Sequence, residues 1–232
     1  LFGLEYNRYE NQHAEIYTTE TSDRAFEEEV MLTGFGSAPT KQEGAGVVFD
    51  QANETFTARY THETIALAFA ITEEAIEDNL YDRLAARYTR ALARSMSNTK
   101  QVKAANILNN AENAAFPGGD GKPLIANNHP LATGGTFSNV LATAADLNET
   151  SLEQSLIDIS SFVDERGLKI AAQGVKMIIP KELQFTAERL MKSPQRTATA
   201  DNDINAIASM GMVPQGYRVN NFLTDTDAFF LL

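Results

Sequence analysis

Cysteine and tryptophan are absent from the 232 residues, and histidine occurs only three times. Without cysteine there is no disulfide scaffold, no thiolate metal site and no cysteine nucleophile, and the usual redox clue to compartment is missing. No apolar run approaches the roughly 20 residues of a membrane-spanning helix, so no membrane partner is expected. Basic residues are scarce as well: 19 Lys and Arg face 31 Asp and Glu, a net charge of −12. That balance opposes tight binding to phosphate backbones, which depends on Lys and Arg neutralising phosphates, and it disfavours a DNA-reading role. What is present is ordinary for a folded chain, with 43% hydrophobic and 22% charged residues. The length suits one large domain or two small ones. Both ends read as cuts in a longer polypeptide: the first residue is Leu1, and Asp227 to Leu232 reads as an apolar strand that stops without a turn.

Glycine and proline are also missing from one long stretch, Val47 to Phe116. Nothing there favours a tight turn, so long regular elements are expected. Val47-Val48-Phe49-Asp50, a turn at Gln51 to Glu54, and a strand from Thr55 read as a hairpin, with Phe56, Ala58 and Tyr60 on one face. The second strand extends as far as Ile71 on this reading. Thr72 followed by Glu73 and Glu74 is a helix-start pattern. A helix from about Leu80 to Ala114 then places Tyr81, Leu84, Ala85, Tyr88 and Leu92 on one side and Arg83, Arg87, Arg90 and Arg94 opposite.

Length makes this pattern informative. A helix of about 35 residues spans about 52 Å, and a strand of about 16 residues spans about 50 Å. A compact globule of this chain length is only about 45 Å across. Neither element fits inside one, so an extended subunit made to touch neighbours is expected.

Before the hairpin, Gly34 to Gly46 is a loop rich in breakers, and the first thirty residues form an acidic arm. Eight acids there meet only Arg8 and Arg24, with Phe2, Tyr6, Tyr9, Ile16, Tyr17 and Phe26 interleaved. So aromatic an arm either docks on another surface or forms a peripheral helix on its own domain. Phe116 to Pro123 is a second breaker cluster and the best internal boundary. Beyond it the pattern is compact α plus β. A helix from Ser151 to Glu165 starts at Ser151 as cap and ends at Arg166-Gly167. A buried strand covers Val175 to Pro180, a helix Lys181 to Lys192, and two strands Tyr217 to Leu223 and Ala228 to Leu232.

Catalytic signals are weak throughout. His13, His62 and His129 show no metal-ligand spacing; His62 reads as a packing or hydrogen-bonding residue and His129, before Pro130, as a turn residue. Lys122 follows Gly121, but Phe116 and Pro123 occupy the places where a phosphate loop needs Gly and Ser or Thr. Asp225-Thr226-Asp227 lacks the Gly and Glu of a calcium loop and reads as a turn. Glu73, Glu74, Glu77 and Asp78 suit a first helical turn rather than acid–base chemistry. No catalytic residue, cofactor or metal is assigned. The arginine stripe could grip nucleic acid, but on so acidic a chain it more simply meets carboxylates of the same or a neighbouring subunit.

The order of elements resembles the major capsid proteins of tailed bacteriophages: acidic arm, two-stranded loop, long helix, then an α/β unit. Tyr60-Thr61-His62-Glu63-Thr64, Phe69-Ala70-Ile71-Thr72-Glu73-Glu74 and Asp78-Asn79-Leu80-Tyr81 look like the approach to the spine helix in Mu-like major head subunits. Asp120-Gly121-Lys122-Pro123-Leu124, His129-Pro130-Leu131, Gly134-Gly135 and Ser138-Asn139 are similar to that group's next block. The resemblance implies an α+β capsid fold, shared with encapsulins. It would comprise an N-terminal arm (1–30), an extended loop (31–70), a peripheral domain on the spine helix (71–118) and an axial domain (119–232). Strands that the peripheral domain usually regains at the C-terminal end are not found.

It further implies a structural, non-enzymatic role in the virion capsid, assembled in the host cytoplasm. Copies of the chain would form hexamers and pentamers that enclose double-stranded DNA without reading it. A portal, a scaffold or maturation protease and decoration proteins are the further partners. Candidate inter-subunit contacts are Arg83, Arg87, Arg90, Arg94, Phe56, Tyr60, Tyr6 and Tyr9. Some relatives crosslink through Lys and Asn; Lys41 lies in the loop, but no matching motif accompanies it. The rival readings are an encapsulin-like nanocompartment shell and an unrelated soluble enzyme with a carboxylate cleft.

Overall fold

Two units make up the computed structural model, which describes residues 1–77, 82–196 and 203–232. The motif Asp78 to Tyr81 lies outside the described residues. One unit joins Leu1–Ser22 to His62–Asn109, and the other joins Asp23–Thr61 to Asn110–Leu232.

The first unit contains α1 (Phe2–Tyr6), a 3₁₀ turn at Gln12–Glu15, α2 (Glu73–Glu77) and α3 (Asp82–Asn109). The 28-residue α3 runs uninterrupted, as expected of a stretch without Gly or Pro. It ends at Asn109, earlier than the expected Ala114. Its buried side also differs from the expected one: Ala93, Ser97, Gln101, Ala105 and Leu108 are buried, whereas Tyr88 is 46% exposed and Ala85 and Leu92 are half-buried.

The reason is the N-terminal arm, which lies along α3. His13 N–H donates to Gln101 Oε1 at 3.1 Å, Gln101 Nε2 donates to the Glu10 carbonyl at 3.2 Å, and Tyr17 Oη donates to the Ala104 carbonyl at 3.0 Å. Backbone atoms come this close to a helix only where its side chains are small or able to bond them. The arm therefore docks within its own unit, and burial pushes the Tyr17 phenol above its usual range.

In the second unit, β1 (Phe26–Leu32) and β2 (Glu54–Thr61) pair as an antiparallel ribbon, Phe26 opposite Thr61, with a bulge between Val30 and Leu32. This corrects the sequence expectation. The partner of β2 comes from the end of the acidic stretch, Val47–Asp50 is irregular, and β2 stops at Thr61 instead of reaching Ile71. Residues 33–53 form the loop between the strands. Thr33 closes its base, accepting from the Asn53 N–H at 2.8 Å through Oγ1 while its own N–H donates to the Asn53 carbonyl at 2.9 Å.

The rest of the second unit begins with the short pair β3 (His129–Pro130) and β4 (Thr136–Phe137). Then come α4 (Glu149–Ser160), β5 (Met177–Ile179), a 3₁₀ turn leading into α5 (Gln184–Lys192), α6 (Ala206–Met210), β6 (Tyr217–Val219) and β7 (Phe230–Leu231). The sheet order is β6-β5-β7, with β5 parallel to β6 and antiparallel to β7. Central β5 is buried throughout, which matches its unbroken Met-Ile-Ile run. Met177 and Ile179 pack with Leu152, Leu156, Leu190 and Ile207 in the core.

Helix α4 starts earlier than expected. Asn148 is the cap, accepting from Ser151 N–H at 2.9 Å, while Ser151 Oγ accepts from Asn148 N–H at 2.9 Å. Ser151 is thus the return partner of a capping box rather than the cap itself. The helix also ends earlier, at Ser160, because Asp164 turns the chain: its Oδ1 accepts from the N–H groups of Arg166 and Leu168, and Gly167 takes φ +81°.

Candidate inter-subunit surfaces

Alternation along paired strands sorts the ribbon's side chains onto two faces. On one, the Arg59 guanidinium lies 4.4 Å from the Phe26 ring centroid and its Nε donates to Glu28 Oε1 at 2.7 Å, so this face is held internally. Glu27, Glu29, Phe56 and Tyr60 share the other. Tyr60 Oη donates to Glu29 Oε2 at 3.3 Å, and burial together with the Glu29 charge pushes its phenol above the usual range. Even so, Tyr60 is 53% exposed, and Phe56 is half-buried. The apolar residues Val30, Met31 and Leu32 of β1 are exposed too.

The loop from 33 to 53 goes further. Phe35 is exposed, and the run Val47, Val48 and Phe49 is 71%, 69% and 92% exposed. Three consecutive large apolar residues in water are unusual for a surface with no binding role. From the sequence this run was expected to be a strand and not an exposed patch; the available signal was a Val-Val-Phe triplet next to the Gly44 to Gly46 breakers.

On α3, Arg87, Arg90 and Arg94 are exposed, and among the described residues none of them forms an ion pair. The side chain of Arg83 lies outside the described residues. At roughly 100° per residue these arginines fall within about 40° of Gln101 around the helix axis. The face covered by the arm toward the C-terminal end of α3 is therefore arginine-lined and open toward the N-terminal end. Tyr88 beside them meets only the Phe69 ring among described aromatics, at 5.8 Å between centroids. The remaining candidates, Tyr6 and Tyr9, are half-buried in the arm: Tyr6 stacks on Phe2 at 5.9 Å and Tyr9 Oη reaches Glu5 Oε1 at 3.4 Å. The structure thus brings Phe56 and Tyr60 onto one ribbon face and the three described arginines onto one helix face. Tyr6 and Tyr9 it engages locally.

The breaker cluster at Phe116–Pro123 buttresses the ribbon. A Cβ on Gly119 would sit 2.9 Å from the Thr57 carbonyl oxygen, so only glycine lets the loop approach the β2 backbone. The next residue, Asp120, is bonded through Oδ2 to His129 Nδ1 at 2.6 Å and accepts from Lys122 N–H at 3.0 Å through Oδ1. Burial alone would raise the Asp120 carboxyl, but the bonds from His129 and Lys122 outweigh it and hold the group below its usual range. His129 is therefore a hydrogen-bond partner of Asp120 in β3, not only a turn residue. His62 is exposed rather than packed. Asp225 accepts from Asp227 N–H at 3.3 Å, as a turn requires, and no group of His, Asp and Glu is arranged to hold a metal ion among the described residues. No described helix is long and apolar enough to cross a membrane.

Comparison with known proteins adds the following. Residues 54–232 match the family model described as phage capsid protein. No curated protein sequence matches the chain. Three solved structures from bacteriophage JBD30 resemble it. The capsid aligns with TM-score 0.62 at 11% identity over 88% of both chains. The procapsid aligns with TM-score 0.58 at 14% identity over 96% of both. The capsid decorated with minor capsid protein trimers aligns with TM-score 0.65 at 13% identity, covering 91% of this chain and 90% of the other.

Proposed function

The chain belongs to the phage capsid protein family and is a structural component of the virion shell, and on that premise we propose that its copies close into hexamers and pentamers of an icosahedral head around double-stranded DNA. The observation that carries this is surface left uncovered. The chain exposes 16,246 Å². Two independent globules with the masses of its two units would together expose only about 12,300 Å². The excess of about 4,000 Å² is worth about five ordinary protein–protein patches of ~800 Å² each. A subunit with several neighbours uses such an excess; a free monomer does not.

Each exposed set has a role in this reading. The arm (1–30), extended loop (31–70), spine-helix region (71–118) and axial part (119–232) follow the division that the family resemblance implies. Phe56, Tyr60 and the Val47 to Phe49 run supply apolar burial between copies. The open arginines of α3 meet carboxylates of a neighbouring copy, where charge complementarity sets register more than affinity. Many weak contacts add up because the shell closes on itself. A net charge of −12 fits a container that holds DNA without gripping its phosphates. Portal, scaffold or maturation protease are partners of the same assembly. Minor capsid proteins, which decorate the JBD30 capsid as trimers, are a further partner class in this reading.

Sedimentation velocity with electron microscopy of the purified chain tests the proposal. Capsomers or shells are expected; a stable monomer at high concentration would overturn it.

A further inference from the structure

The irregular loop between β1 and β2 has few bonds of its own, yet one side chain gathers it. Asp50 Oδ2 accepts from Gly36 N–H at 2.7 Å, which ties the outgoing limb of the loop to the returning one, and Asp50 Oδ1 accepts from Gln51 N–H at 2.9 Å. The same carboxylate is gripped by Arg166 Nη2, at 2.9 Å from Oδ1 and 2.8 Å from Oδ2. The Gly36, Gln51 and Arg166 bonds, in that order, hold the Asp50 carboxyl below its usual range. A Cβ on Gly36 would stand 3.3 Å from Arg166 Nη2, so the contact is close on both limbs.

Arg166 is itself held in place. Its turn is closed by Asp164, and the adjacent Glu165 anchors the tip of the β3–β4 hairpin, accepting from Ala132 N–H at 2.9 Å through Oε2 and from Thr133 Oγ1 at 3.2 Å through its carbonyl. A short turn bonded on two sides thus reaches out 116 residues along the chain to seize the loop. The residue it seizes immediately follows the most exposed apolar run, Val47 to Phe49.

We propose that Arg166 is a positioning residue that latches the extended loop through Asp50, so that Val47, Val48 and Phe49 are presented in one fixed arrangement to a second copy of the chain. The docking half of this rests on the capsid reading above; the latch does not. Presenting the run already ordered lowers the conformational entropy lost on association, which is the way preorganisation raises affinity. Arg166 Nη2 alone reaches both carboxylate oxygens, and arginine suits the task because its delocalised guanidinium is more weakly hydrated than a lysine ammonium and so gives up less on forming an ion pair.

Three variants and two measurements test it. Amide hydrogen exchange of the unassembled subunit reads the latch, and the protein concentration at which assembly is half complete reads the docking. Arg166→Ala and Asp50→Asn should each speed exchange at Gly36 and Gln51 about tenfold, leave Met177 to Ile179 protected, and raise the half-assembly concentration about tenfold. Arg166→Lys should fall between these and the wild type. Asp50→Asn leaves the 164–167 turn intact, so it keeps the test valid if Arg166→Ala disturbs folding. Wild-type exchange in Arg166→Ala and Asp50→Asn would overturn the latch, and faster exchange with unchanged assembly would overturn its role in presentation. A wild-type chain that never assembles would sink the capsid reading instead, with the exchange data still deciding the latch.

Discussion

Asp120 and Gly119 occupy one turn and make two different demands on it. Gly119 must have no side chain, since a methyl group would press on the Thr57 carbonyl. Gly119→Ala should therefore destabilise the second unit by about 1–3 kcal/mol, the usual cost of overpacking against backbone, read as a lower thermal midpoint. Asp120 must stay ionised. Its folded pKa lies below the ordinary value, so the stabilisation it brings is complete above the ordinary carboxylate range and is lost as pH falls through the folded value. Asp120→Asn should cost about 1 kcal/mol at neutral pH, and the gap to wild type should close as the solution is acidified below that value; a gap independent of pH would contradict the assignment. The breaker cluster around these residues was legible in the sequence. The partnership with His129 was not, because it joins a loop residue to a strand residue nine positions on, with no periodic spacing to reveal it.

At the scale of elements, what periodicity can and cannot tell is clear from α3 and the ribbon. Freedom from Gly and Pro announced a long helix, and alternation announced a strand from Thr55, which ends at Thr61 instead of the expected Ile71. Partners were not announced. Large residues were expected to face inward on α3, yet Ala93, Ser97, Gln101 and Ala105 do so, because the neighbour is an irregular arm that bonds to Gln101 through its backbone. Likewise the alternating pattern identifies β2 as a strand but not its pairing with Phe26–Leu32, which lies across a 21-residue loop. If the arm is held as described, Gln101→Ala should speed amide exchange at His13 about 5–30-fold, as expected for losing one or two kcal/mol of local protection. Exchange at Met177, in the other unit, should not change. Equal rates at His13 in the two proteins would show that the arm is held by something else.

For the whole molecule, the resemblance of its element order and local motifs to phage capsid proteins carried the functional class, and the family match over residues 54–232 agrees with it. The candidate contact surfaces were only half visible. Phe56, Tyr60 and the arginines stood out through their spacing, whereas the exposed run Val47 to Phe49 was mistaken for a strand because exposure is a tertiary property. Val48→Ser with Phe49→Ser should leave the subunit folded but raise the half-assembly concentration at least tenfold, since burying one large apolar side chain is worth about 1.5–3 kcal/mol. Reversing charge at Arg87, Arg90 and Arg94 should weaken assembly most at low salt, and added salt should narrow the difference from wild type as the charges are screened.

The most direct measurement is a cryo-electron microscopy reconstruction of the assembled particle, from which the area buried per subunit can be read. The account predicts about 4,000 Å² of each chain covered by other copies, the scale of its excess surface, with Phe49 and Tyr60 among the covered residues. A shell in which Phe49 and Tyr60 still face solvent, or in which each subunit buries no more than one ordinary patch of ~800 Å², would contradict it.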